Sequence, residues 1–173
     1  EFCHAVAARH HRAFIAARGA LGSRRFFIAS LPLALTYDRS DSLLDPRRGF
    51  RIGGRLSPEL SLRDGAFAYL RAQLDASVYQ PVNKRVILAG RARFGSLIGS
   101  PGLESIAPSR RFYSGGGGSV RGFGYQDIGP RYPNNDPTGG RSVVEFGAEA
   151  RIQVWGQFSL VPFVDAGTIH QGV

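Results

Sequence analysis

The residues whose types could do chemistry crowd into one stretch, Arg111-Phe112-Tyr113-Ser114-Gly115-Gly116-Gly117-Gly118-Ser119-Val120-Arg121-Gly122-Phe123-Gly124-Tyr125. Glycines beside an arginine could cradle a phosphate, but a P-loop needs Gly-Lys followed by Ser or Thr, and none follows here. Nor does the tract lie between a strand and a helix, as a dinucleotide fingerprint must. Ser114 to Ser119 also looks like a synthetic linker, although a linker rarely interrupts one continuous loop motif. Arg121-Gly122-Phe123-Gly124 opens like the RNP1 octamer of an RNA-recognition motif, which makes an RNA-binding sheet protein an alternative reading. Against it, Gln126 and Ile128 stand where that octamer wants an apolar and an aromatic residue, and Phe123 would need a strand under it to stack a base.

Other chemistries lack their residues. There is one cysteine, Cys3, so no internal disulfide forms, and no Cys or His spacing suits structural zinc. His10 and His11 are adjacent, whereas two ligands on a helix need i, i+4 spacing. No Gly-x-Ser-x-Gly elbow occurs, and His170 is the only histidine beyond the N-terminal segment, so neither an enzyme nor a cofactor is expected. The net charge of +9 rests on arginines and Lys84, which invites an anionic partner such as nucleic acid, lipid or lipopolysaccharide.

The elements that would position the loop read as β-strands. Ala66 to Tyr79 alternates Ala, Leu and Val against Phe67, Tyr69, Arg71, Gln73, Asp75 and Ser77. Ser142 to Trp155 alternates likewise, and weaker versions run over Phe27–Tyr37, Gly49–Leu62, Arg85–Ser96 and Gln157–Gly167, making six strands. Short turns at 63–65, 80–84 and 156 force antiparallel pairing, and Asp38 to Arg48 forms a longer turn rich in Asx and Pro chemistry. The long connection, about 100–141, is the functional-loop candidate.

Strand length separates a soluble sheet from a membrane barrel. Soluble strands average about 5 to 6 residues, whereas spanning strands need about 9 to 11. The paired charges Arg51, Arg55, Glu59; Arg71, Asp75; Arg91, Arg93; Glu145, Glu149, Arg151 then suit a wet lumen, and Tyr37, Tyr69, Tyr79, Trp155 and Phe158 suit aromatic girdles. Pro32, Pro58 and Pro162 must mark bulges or edges. The Ala-rich, basic stretch Ala5–Ala20 reads as a short helix, so residues 1–25 are expected to be a helical or disordered basic segment and 26–173 a barrel domain.

Two motifs in order, Val120-Arg121-Gly122-Phe123 in the Gly-rich loop and Phe163-Val164-Asp165-Ala166-Gly167 downstream, resemble the bacterial surface antigen barrel of the BamA and TamA outer-membrane assembly proteins. Thr36-Tyr37-Asp38 followed by Asp45-Pro46 and Gly49 is similar to a turn of that family. Arg111-Phe112-Tyr113 with its glycines resembles the TamA branch. The resemblance covers about Phe26 to Val173.

The resemblance implies an all-β antiparallel meander forming the C-terminal part of a transmembrane β-barrel, about six of sixteen strands, with the long loop folded into the lumen. It implies that the tip Val120, Arg121, Gly122, Phe123 docks on the inward carboxylates Asp165 and Glu149, with Gly115, Gly116, Gly117 and Gly118 supplying unusual backbone angles. The implied function is outer-membrane protein or autotransporter assembly, with a two-partner secretion pore as the alternative within the same barrel class. Implied partners are outer-membrane lipid and lipopolysaccharide, client β-barrel proteins and an inner-membrane-anchored companion subunit, without nucleic acid. Six strands cannot close a membrane barrel, for which eight is the practical minimum. The chain, starting with Glu, therefore reads as part of a larger one.

Overall fold

The computed structural model describes residues 2–6, 11–19, 22–62 and 65–172, the stretch before Phe26 by its backbone path alone. Among the described residues, every regular element beyond two 3-10 turns is a strand: β1 Phe2–Val6, β2 His11–Gly19, β3 Gly22–Ser30, β4 Leu33–Asp38, β5 Gly49–Leu62, β6 Ala66–Pro81, β7 Val86–Ile98, β8 Ser142–Trp155, β9 Phe158–Leu160 and β10 Phe163–His170. They form one antiparallel sheet in the order β1-β4-β5-β6-β7-β8-β10, with β2 on β3, β3 also on β5 and β9 also on β8. Among the described residues the two outer edges do not pair with each other, so the sheet is an open portion of a barrel.

The prolines explain the split strands. β3 and β4 both pair with β5, at Glu59–Ser61 and at Arg51–Leu56, and are one lane broken at Leu31-Pro32. Across the break, Leu31 N donates to Pro58 O at 3.1 Å. In an antiparallel strand one residue's N and O point the same way, so the donor that Pro58 lacks falls opposite the interruption. Val161-Pro162 breaks the last lane into β9 and β10 in the same manner, with Ala150 N donating to Pro162 O at 3.0 Å.

The N-terminal expectation is corrected. Where a helix was expected over Ala5–Ala20, the described backbone is β1 and β2, and the boundary placed after residue 25 falls inside β3. Alanine's helix preference is a weak prior, and pairing of His11–Gly19 with Gly22–Ser30 satisfies the backbone donors and acceptors as a hairpin instead. His10, like the other residues at 7–10, lies outside the described residues.

The two sheet faces differ as alternation requires. One parity is exposed and apolar, with Leu56, Leu60, Leu74, Val78, Leu88, Phe94, Phe146 and Val164 all well exposed. The other carries Arg51, Arg55, Glu59, Asp75, Arg91, Arg93, Glu145 and Glu149, and the long loop between β7 and β8 lies on it. At that loop's end of the strands, Tyr69, Leu97, Ile106, Phe112, Val143 and Ile169 form a small core between loop and wall. Each fully buried large apolar side chain there is worth about 1.5–3 kcal/mol.

Trp155 and Phe158 are exposed and stack with centroids 6.4 Å apart at the far end, as girdle residues would. Tyr69 and Tyr79 are corrected: both share the parity of the charged face. Tyr69 is buried with its hydroxyl donating to Glu59 at 2.6 Å, and Tyr79 lies under the Arg151 guanidinium. The turn after β4 is also well built. Asp41 Oδ1 accepts from Arg47 N at 2.8 Å and Arg48 N at 3.1 Å, and these backbone donors hold its carboxyl below the ordinary carboxylate range.

Candidate functional site

The loop has two parts with different supports. Its body begins with 3-10 turns at Leu103–Ser105 and Pro108–Arg110 and is organised by Arg111, which is buried. Arg111 Nε and Nη2 donate to Ile106 O at 3.1 and 3.0 Å, while Nη1 donates to Thr138 O and Tyr132 Oη at 2.9 Å each. A planar fork with five donors suits this task, because it closes both ends of the loop onto one group. The neighbouring Phe112 packs into the small core with the Arg71 guanidinium 4.5 Å above its ring. Tyr113 Oη donates to Pro108 O at 2.9 Å, and burial pushes its hydroxyl pKa up.

The tip is held by the wall. Arg121 Nε donates to Asp165 Oδ2 at 2.8 Å, Nη2 to Oδ1 at 3.0 Å, and the backbone N of the same residue to Oδ2 at 2.9 Å. Its remaining arm, Nη1, donates to Glu149 Oε2 at 2.8 Å. The guanidinium also lies 3.9 Å over the Phe163 ring. Asp165 has no exposed side-chain surface, and a buried carboxylate needs bidentate charge-assisted bonds of this kind. The bonds from Asp165, then Glu149, hold the Arg121 pKa above the ordinary arginine range.

Two neighbours complete the cluster. Arg91 on β7 donates from Nη2 to Asp165 Oδ2 at 3.1 Å and reaches the loop carbonyls of Gly118 and Ser119. Ser119 Oγ in turn bonds Glu145 and receives Gly115 N at 3.0 Å.

Small residues make room for the tip. A Cβ on Gly147, between Arg91 and Asp165, would sit 2.6 Å from atoms of both, and one on Gly167 would sit 2.6 Å from Val120 Cγ2. Val120 is 1% exposed in this slot. Isolated glycines within strands mark such close approaches, and their place on the charged parity is the signal that sequence reading missed, along with Arg91.

The expected site residues are not equally engaged. The structure brings Val120, Arg121, Glu149 and Asp165 together, and Gly122 turns the chain away at φ +91°. Phe123 is 53% exposed and leaves the contact. Gly115 and Gly116 adopt φ of +106° and +103°, but Gly117 and Gly118 do not enter that region and are corrected. Residues 121–124 form no strand, so the base-stacking platform required for RNA binding is absent there.

This geometry meets the comparisons with known proteins. The model of the Omp85 superfamily domain matches residues 5–172. The chain belongs to the Omp85 superfamily. Its match thus includes most of the segment set apart as a separate N-terminal piece. The outer membrane protein assembly factor BamA of Neisseria meningitidis serogroup B (strain ATCC BAA-335 / MC58) is 28% identical over 144 residues, covering 78% of this chain. A crystal structure of BamA from Haemophilus ducreyi lacking POTRA domains 1-3 superposes with a TM-score of 0.68 at 21% identity over 85% of this chain.

This Omp85 chain spans 18% of the length of the Neisseria protein and 31% of the Haemophilus chain. The open antiparallel sheet is a portion of an outer-membrane β-barrel. Long loops of such barrels face outward and short turns face the periplasm, which places the β7–β8 loop outside and the turns at 39–48, 82–85 and 156–157 inside. In such barrels lipid-facing and lumen-facing residues alternate along each strand, the pattern that the exposed apolar parity and the charged parity follow here.

Proposed function

We propose that this chain is the barrel portion of a non-enzymatic outer-membrane protein assembly factor in which the Arg121–Asp165–Glu149 contact locks the β7–β8 loop inside the lumen. The observation carrying this reading is the spent fork of Arg121. Three of its side-chain donors and its backbone amide go to two carboxylates on β8 and β10. The Neisseria relative is itself an assembly factor.

No bond-making chemistry is required. A client strand gains backbone pairing and burial of apolar surface in lipid, and a barrel with a fixed internal loop offers a stable template for that exchange. Within the class, the translocation and assembly module type is favoured by Arg111-Phe112-Tyr113, whose side chains build the body of the loop. Its partners would be client β-barrels or autotransporters, lipid and lipopolysaccharide, and an inner-membrane-anchored companion.

The test is replacement of the full-length protein in its own cell by Arg121→Ala or Asp165→Ala, with folded client barrels and surface autotransporters counted. Loss of both classes supports general assembly, and loss of autotransporters alone supports the narrower type. Loss of one secreted protein with resident barrels intact would instead mark a two-partner secretion pore. Normal counts for all clients would end the lock hypothesis.

A further inference from the structure

A second arginine of the luminal wall reaches in two directions. Arg151, near the periplasmic end of β8, donates from Nε to Glu149 Oε1 at 2.8 Å and from Nη1 to Pro46 O at 3.2 Å. Its Nη1 is also 3.5 Å from Asp45 Oδ1, and its guanidinium lies 5.6 Å over the Tyr79 ring. The other Glu149 oxygen holds Arg121. One carboxylate thus joins the loop tip to Arg151, and Arg151 joins that carboxylate to the turn between β4 and β5.

The turn is braced by its own side-chain hydrogen bonds. Asp38 Oδ1 accepts from Ser40 N and Oγ at 2.8 and 2.6 Å, and Asp38 Oδ2 accepts from Arg51 Nε at 2.6 Å. Asp41 closes the remainder, and Pro46 fixes one φ at the carbonyl that Arg151 grips. Asp45 is three-quarters exposed, so its ion pair adds little and the Pro46 carbonyl is the main hold. Among the described residues, no other hydrogen bond or ion pair joins 39–48 to β8.

We infer that Arg151 is a positioning residue that couples the periplasmic β4–β5 turn to the loop tip, so that displacing residues 39–48 biases whether the loop is seated. This rests on the loop-lock reading and adds to it a path from the opposite side of the membrane. Such coupling is reciprocal: what unseats the tip must loosen the turn, and the reverse.

The experiment uses the full-length protein in liposomes of outer-membrane lipid, with Cys3→Ser and the reporter Ser114→Cys, since Ser114, in the loop, is 1% exposed where it faces Gly167 of the wall. Maleimide labelling reads unseating, and tryptic cleavage after Arg47 and Arg48, located by mass spectrometry, reads the turn. Heat-modifiable migration confirms that each barrel is folded. Arg121→Ala should speed labelling. Arg151→Gln should speed it about five-fold or more, the low end of measured site–site couplings, and Arg121→Ala should speed cleavage at the turn by a similar factor.

Unchanged labelling in Arg121→Ala would overturn the lock itself. Faster labelling in Arg121→Ala with none in Arg151→Gln, or with turn cleavage unmoved, would overturn the coupling and leave the lock standing. If Arg151→Gln does not fold, Arg151→Lys replaces it. Lysine keeps the charge but cannot span both partners as a fork does, so turn cleavage should still rise. No rise would overturn the coupling.

Discussion

Arg111 and Arg121 sit ten positions apart in one loop and are satisfied in opposite ways. Arg111 is buried among carbonyls and a tyrosine hydroxyl of the loop itself, whereas Arg121 spends its donors on carboxylates of the wall. The first folds the loop and the second docks it. The body is itself anchored through Ile106 and Phe112 in the core shared with the wall, so the contrast concerns the tip.

The largest effect should come from breaking the docking. Arg121→Ala leaves Asp165, wholly without exposed side-chain surface, dependent on Arg91 alone among the described cations. Loss of one partner from a fully buried pair costs about 3–5 kcal/mol, and with Arg121 a quarter exposed and Arg91 still in place the low end is expected. Hydrogen exchange at the amide of Arg121, whose acceptor Asp165 belongs to the wall, should accelerate accordingly. The double variant with Asp165→Ala should be little worse than either single. Additive losses would mean that the two residues act independently.

Breaking the fold of the loop should cost less and act elsewhere. Arg111→Met fills similar volume, removes a buried cation and leaves the carbonyls of Ile106 and Thr138 without that donor, at about 2–3 kcal/mol. Proteolysis within 100–141 should quicken, while exchange at the Arg121 amide stays slow. If both segments loosen together, the loop is one cooperative unit and the contrast between the two arginines fails.

The seat can also be tightened sterically. Gly167→Ala would put a methyl 2.6 Å from Val120 Cγ2 and 2.9 Å from Ser114 Oγ, an overpacking that costs about 1–2 kcal/mol. Val120→Ala in the same chain should recover part of the loss, measured again by exchange at the Arg121 amide. Absence of recovery would place the strain outside the slot.

Much of this architecture was legible because alternation is a strong signal where one face meets lipid and the other a polar lumen. β5 and β8 have the expected ends, and β6 and β7 differ by a residue or two. The strands before Phe26 were not legible, since alanine and arginine read as helix when pairing partners are unseen. In the site, Asp165 and Glu149 came from motif resemblance. Arg91 looked like one more luminal charge beside Arg93, and only its position across Gly147 from Asp165 distinguishes it. Gly115 to Gly118 read as one flexible tract, but the sequence does not tell which glycines use their freedom.

That last distinction makes the smallest prediction, and one of opposite sign. Gly117 has no left-handed backbone angle, and a Cβ there would meet nothing within 4 Å. Gly115 sits at φ +106°, and a Cβ there would lie 2.6 Å from Gly124 O. Gly117→Ala should therefore stabilise the seated loop by about 0.4–1 kcal/mol, because alanine restricts the unseated chain more than the seated one. Gly115→Ala should destabilise it, since L-residues resist that φ and the methyl strikes the backbone. The two variants have the same composition, so comparing their exchange rates at the Arg121 amide removes any general effect of an added methyl. Slower exchange in Gly117→Ala and faster in Gly115→Ala would locate the hinge between the self-folded body and the docked tip at Gly115-Gly116. Equal shifts in both would mean that the tract acts as uniform slack, and that the tip is held by Arg121 with no help from the backbone beneath it.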